Sequence, residues 1–135
     1  MKIDGRCHCG FIRFEAEADP ARTGMCNCTD CQALTGAPFR VTIAAEPGSF
    51  RLVSGEPTIY VKTADSGNKR EHAFCPRCGS PVYATAPGGD PKPYSLRFGT
   101  VRQREHFKPV RQIWTRSRAE WVTDIGDIPG VEMQS

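Results

Sequence analysis

"FCPRCGS", residues 74–80, decides how this chain is read. Pro76 fixes a turn, two intervening residues let Cys75 and Cys78 face one metal ion, and Gly79 lets the backbone fold tightly beneath the sulfurs. Such a knuckle supplies half of a tetrahedral site. "RCHCG", residues 6–10, offers Cys7 and Cys9, which converge in a turn ending at Gly10. Together the two pairs make a closed four-thiolate zinc site that ties the N-terminus to the middle of the chain. Structural zinc contributes ~10–16 kcal/mol of apparent binding energy in zinc-finger peptides, comparable to the ~5–15 kcal/mol net stability of a domain. Loss of that metal is expected to unfold the protein.

Three cysteines remain, in "GMCNCTDCQALTG", residues 24–36. Cys28 and Cys31 sit three apart across the start of a short helix expected from Thr29 to Leu34, closed by Gly36 and unable to continue past Pro38. Their sulfurs share a face at the positive end of the helix, and Cys26 reaches the same metal from the preceding turn. Three protein ligands with an open fourth position are the signature of a catalytic zinc. Spacing alone leaves other partitions open: His8, His72 or His106 closes the second site, Cys31 joins the knuckle, or the cysteines form disulfides. Taken singly, His8 reads as a surface residue beside ligands, His72 as part of the alternating strand "KREHAF", and His106 as part of a charged turn. Trp114 and Trp121 read as core anchors.

Around these clusters the apolar residues mostly repeat every second position. "FIRFEAEA", "FRVTIAA", "FRLVSG", "TIYVKT", "PVYATA" and "YSLRFGTV" are short runs bounded by Gly, Pro, Ser or Asp, so strands dominate. A second short helix or an irregular turn is expected over 109–118, and residues 86–93 read as a hairpin loop. The expected fold class is mostly β and antiparallel, one zinc-binding domain over 1–135, with one or two short helices. No apolar run approaches the ~18 residues of a membrane span, and "MKIDGRCHCG" lacks the apolar core of a signal peptide. Seven cysteines in pairs and a triplet point to metal in a reducing, cytoplasmic compartment. The formal charge of +3 falls to about zero once two zinc ions and seven thiolates are counted, so neither a nucleic acid nor a membrane is the expected partner. Homo-oligomerisation is left open.

The combination "GRCHCG", "CNCTDCQALTGAPF", "FCPRCGS" and "QIWTRSRAEW" followed by "DIPG" resembles the family of glutathione-dependent formaldehyde-activating enzymes and centromere protein V. All seven cysteines match in order and spacing. The resemblance implies a β-tent fold, two antiparallel sheets related to zinc-ribbon proteins, with a structural zinc on Cys7, Cys9, Cys75 and Cys78 and a catalytic zinc on Cys26, Cys28 and Cys31. Two positions depart from the family pattern: Asn27 and Gln112 stand where many members have His, and neither titrates near neutrality. The implied chemistry is a carbon–sulfur lyase reaction, addition of a small thiol such as glutathione to an aldehyde such as formaldehyde, or the reverse. A zinc-bound thiol is deprotonated outright, whereas a free one of pKa ~8.5 is mostly protonated at neutral pH. Glutathione carries two carboxylates, and Arg40, Lys69, Arg97 and Arg116 are the candidate cations, although each reads first as a solvated strand-face charge. Asp30 opposes a bound anion unless it turns away or pairs with an arginine. The competing class is a zinc-stabilised binding module without catalysis.

Overall fold

The computed structural model describes residues 1–134. Its elements run β1 (Lys2–Arg6), β2 (Arg13–Cys26), α1 (Thr29–Thr35), β3 (Arg40–Ala45), β4 (Arg51–Ser54), β5 (Thr58–Thr63), β6 (Lys69–Phe74), β7 (Pro81–Thr85), β8 (Tyr94–Arg97) and β9 (Arg111–Ile113). Short 3-10 turns occupy Phe98–Thr100, Arg104–His106, Thr115–Ser117 and Glu120–Asp127. The fold is mostly β, as expected. Among the described residues no helix is long and apolar enough to cross a membrane.

The long strand β2 holds two ladders together. Its first half pairs antiparallel with β1 and β4, and its second half with β3, from which the sheet continues through β8, β7 and β6 to β5 at the edge. The register slips between Ala18 and Thr23, where Pro20 has no N–H to give to a neighbouring strand. Alternation explains the inward face of the first ladder: Phe14, Ala16 and Ala18 are buried while Arg13, Glu15 and Glu17 face out. These side chains join Ile3, Ile43, Leu96, Val82 and Phe107 in the core. Phe50 links the ladders by stacking on Tyr94 at 4.2 Å between centroids and meeting Tyr83 at 5.1 Å and Phe14 at 5.7 Å. The antiparallel pair β7–β8 makes residues 86–93 the expected hairpin loop.

Several local expectations give way to tertiary pairing. "YSLRFGTV" is strand only to Arg97, after which the chain turns at Gly99 with the Thr100 hydroxyl donating to the Arg97 carbonyl at 2.7 Å. The short helix or irregular turn expected over 109–118 is the 3-10 turn Thr115–Ser117, but Arg111–Ile113 before it form β9, among the described residues the one strand that runs parallel to its neighbour, beside Gly24–Cys26. All three of its side chains are exposed, so no alternation marks it. Trp114 and Trp121 are not core anchors, being 55% and 50% exposed. β1 carries only Ile3 and Gly5 inward, too few apolar positions to announce a strand.

Candidate metal centres and the cationic face beside them

Two turns of matching design bring four thiols together. In the first, Cys7 N–H donates to the Ile12 carbonyl at 3.1 Å and Ile12 N–H returns a bond to Cys7 Sγ at 3.3 Å. In the second, Cys75 N–H donates to the Ser80 carbonyl at 3.0 Å and Arg77 N–H points at Cys75 Sγ at 3.3 Å. Gly10 (φ 82°) and Gly79 (φ 79°) take the left-handed conformation that closes each turn and that other residues adopt only with strain. Cys7 Sγ and Cys75 Sγ each lie 3.7 Å from Cys9 Sγ. A tetrahedron of sulfurs at ~2.3 Å from a central ion has edges of ~3.8 Å, so these thiols already stand at the spacing of a soft divalent metal's ligands. Cys7 and Cys75 are buried, and Cys9 and Cys78 face solvent. The Ser80 hydroxyl, 3.2 Å from Cys78 Sγ, and the Ser80 and Cys9 N–H groups draw that thiol down to about 5.

Cys26, Cys28 and Cys31 form the second cluster, their sulfurs within 4.8 Å of one another. Among the described residues no histidine or carboxylate joins them as a fourth ligand, and Cys31 does not join the knuckle. Cys28 is the N-cap of α1, its Sγ accepting the Cys31 N–H at 3.2 Å, and Gly36 (φ 68°) ends the helix as expected. Burial pushes the Cys26 thiol up to about 12. Burial also opposes ionisation of Cys28, but the Cys31 N–H, the neighbouring thiols and Lys62 outweigh it and hold that thiol below its ordinary value. A bound cation would relieve this crowding by taking the place of the shared protons.

Asn27 and Gln112, the two positions that depart from the family pattern, are paired. Asn27 is fully buried, and its Nδ2 donates to Gln112 Oε1 at 3.4 Å and to the Ile113 carbonyl at 3.1 Å. Gln32 Nε2 and Ser117 Oγ both donate to the Asn27 carbonyl at 2.9 Å. The triplet's loop is thus tied to α1, β9 and the 115–117 turn. Trp114 opens that turn in a left-handed conformation (φ 57°), held by Ser117 Oγ and N–H on its carbonyl.

The face of the sheet that carries the triplet is cationic. Directly opposed residues in a ladder project to the same side. Cys26 opposes Arg40, Thr42 opposes Arg97, Ala84 opposes both Ser95 and His72, and His72 opposes Tyr60. One row of side chains therefore runs from Cys26 through Arg40, Arg97 and His72 to Tyr60. Lys62 on the same face reaches across to α1 and binds Asp30 at 2.7 Å, so the acid beside the triplet is paired with a lysine instead of an arginine.

Arg40 and Arg97 are not solvated strand-face charges, being only 5% and 8% exposed. Burial holds the Arg97 guanidinium down to about 9, reinforced by Arg40 and Arg70 and opposed by Cys31 and Cys26. Arg97 Nη2 lies 3.2 Å from His72 Nδ1, and because arginine only donates, that ring nitrogen accepts and the histidine is neutral. Burial and the charges of Arg97, Arg40, Lys62 and Arg70 hold His72 down to about 4. His8 is exposed with its N–H on Ser80 Oγ, and His106 lies in an exposed turn. Lys69 and Arg116 are exposed, as expected of solvated surface charges. Alternation marked Arg40 and Arg97 as members of a polar face; it carried no sign that this face is covered.

A crystal structure of a Rhodobacter sphaeroides protein superimposes with a TM-score of 0.60 at 20% identity, covering 81% of this chain and 98% of that one, which shows the shared fold. A Halomonas elongata protein named "Putative glutathione-dependent formaldehyde-activating enzyme" is 25% identical over 91 residues, 64% of this chain and 58% of that relative's length. The family model for "Glutathione-dependent formaldehyde-activating enzyme" matches residues 2–117, a span that contains all seven cysteines, β1 to β9 and the buried arginines. The chain belongs to the glutathione-dependent formaldehyde-activating enzyme family.

Proposed function

We propose that this chain is a zinc-dependent carbon–sulfur lyase-type enzyme that joins a small thiol to an aldehyde, or separates them, at the Cys26–Cys28–Cys31 centre. The observation that carries this reading is the ligand count: three sulfurs gathered within 4.8 Å and, among the described residues, no fourth protein donor. The four-cysteine centre, with a complete tetrahedral set, takes the structural role. Zinc in the three-cysteine centre would supply Lewis acidity and a deprotonated substrate thiol at neutral pH. In the forward direction the thiol sulfur bonds to the carbonyl carbon, the carbonyl π bond breaks, and the thiol's proton ends on the oxygen to give a hydroxyl.

The chain's own residues provide binding and orientation. Cys28 Sγ is steadied by the Cys31 N–H, Lys62 neutralises Asp30 beside the cluster, and Asn27 holds the loop against β9. Arg40 and Arg97 put positive charge on the face that receives an anionic substrate. Glutathione and formaldehyde are the substrates that the family name suggests.

Cobalt substitution tests the reading. A three-sulfur tetrahedral site that gains a fourth sulfur gains sulfur-to-cobalt charge-transfer absorption, so adding glutathione or another small thiol should raise that band, and Cys31→Ser should abolish the response. A spectrum indifferent to every thiol tried would remove the enzyme reading and leave the non-catalytic binding module.

A further inference from the structure

A cavity of about 580 Å³ opens on the cationic face. Its volume lies in the range of small-molecule sites. Leu34, Tyr60 and Phe74 supply apolar walls, and Arg40 and Arg97 line it with His72. Arg40 and Arg97 also line a second cavity, of about 1020 Å³.

The two guanidiniums are incompletely satisfied. Arg40 Nε and Nη2 and Arg97 Nε are buried without a hydrogen-bond partner, and neither residue joins a salt bridge among the described residues. The nearby carboxylate, Asp30, is already taken by Lys62. His72 accepts from Arg97 but is neutral and adds no negative charge. Two buried like charges with open N–H groups are expensive to hold and call for an anion that completes them. Metal-loaded thiolates do not suffice: three thiolates around a divalent ion carry one negative charge against two positive ones.

We propose that Arg40 and Arg97 are the anion subsite of this cavity, and that its ligand is a compact amphipathic anion, a carboxylate on an apolar body. The guanidiniums give the carboxylate a forked donor set, and the apolar walls take the hydrocarbon or aryl portion. Glutathione, with two carboxylates, an ammonium and two amides, has no such apolar portion, so the preferred thiol or aldehyde of this chain is a simpler hydrophobic acid. The inference rests on the thiol–aldehyde reading only for the reacting group that such a substrate carries. Its anion subsite stands on the cavity and the arginines alone.

Calorimetric titration of the metal-loaded protein with 3-phenylpropionate and its neutral isostere 3-phenylpropanamide tests it. The acid should bind at least about tenfold more tightly than the amide, the scale of one charge-assisted hydrogen bond. Acetate, which has the charge without the body, should bind at least about tenfold more weakly than the acid. Arg40→Met should remove the acid's advantage while leaving the amide unchanged, and Arg40→Lys should restore part of it. Equal binding of acid and amide, no binding of the acid at millimolar concentration, or loss of acid and amide together in a folded Arg40→Met protein would overturn the proposal. If Arg40→Met does not fold, the comparison of acid, amide and acetate on the parent protein decides alone. The acid contains neither thiol nor aldehyde. A silent cobalt spectrum with the acid's preference intact would remove the thiol chemistry and keep the subsite, and the opposite pair of results would do the reverse.

Discussion

Replacing Cys78 by serine should destabilise this protein more than replacing Cys28, although each change removes one thiolate from one metal centre. The reason lies in what the unfolded chain can still bind. Cys26 to Cys31 span five positions, so an unfolded chain holds a metal on this triplet almost as readily as the folded one does, and binding to both states cancels in the folding equilibrium. The other centre joins Cys9 to Cys75, 66 residues apart, and an unfolded chain must close that loop before the metal finds its ligands. Closure costs scale as (3/2)RT ln n, which for 66 residues against five differs by about 2 kcal/mol. At about 4 °C per kcal/mol for a domain of this length, Cys78→Ser should melt about 8 °C below Cys28→Ser. The assay is differential scanning calorimetry on protein loaded with stoichiometric metal, with metal content measured by mass spectrometry. A chelator titration should strip the triplet first, since its three ligands leave one coordination position to a competitor. Equal melting temperatures, or Cys28→Ser as the less stable variant, would show that the four-cysteine centre does not bear the fold.

Two further outcomes follow from the packing. Gly5→Ala would place a methyl carbon 2.3 Å from both Phe14 Cζ and the Thr100 carbonyl oxygen, and should lower stability by about 3 kcal/mol, at the upper end of overpacking, seen as a drop of about 12 °C in the thermal melt. His72 makes stability depend on acid: its folded pKa of about 4 lies below the ordinary 6.5, so its contribution is complete above 6.5 and is lost as pH falls towards 4, where the unfolded chain takes up a proton that the folded one refuses. Discounted for a half-exposed ring, the loss is about 1–2 kcal/mol. His72→Gln, whose carbonyl can accept from Arg97, should flatten that portion of the pH profile, and an unchanged difference between parent and variant from pH 7 to 4 would refute the assignment.

Local chemistry in the chain marked the parts of both cysteine clusters, although spacing left their partition open. Cys75 and Cys78 around Pro76, Cys7 and Cys9 before Gly10, and Cys28 and Cys31 across a helix start each meet within one turn, so their convergence follows from backbone geometry over a few residues. Period-two alternation likewise announced most strands, because the inward face of each had to be apolar. The pairing of Cys7 and Cys9 with the distant knuckle came from the family resemblance, since spacing left other partitions open, and the fold brings the four sulfurs together. β9 was illegible because its three exposed side chains carry no pattern and its pairing with β2 is made by the backbone alone. The buried arginines were misread for a related reason. Alternation in "FRVTIAA" and "YSLRFGTV" says which face of a strand is polar, but whether that face meets water depends on what the rest of the chain lays over it. Here β5 reaches back to α1 through Lys62 and Asp30, and Leu34 of α1 and Tyr60 of β5 line the same cavity as Arg40 and Arg97, which are left almost without solvent. Enclosure of a charged face is a property of long-range packing, and only the tertiary structure could decide it.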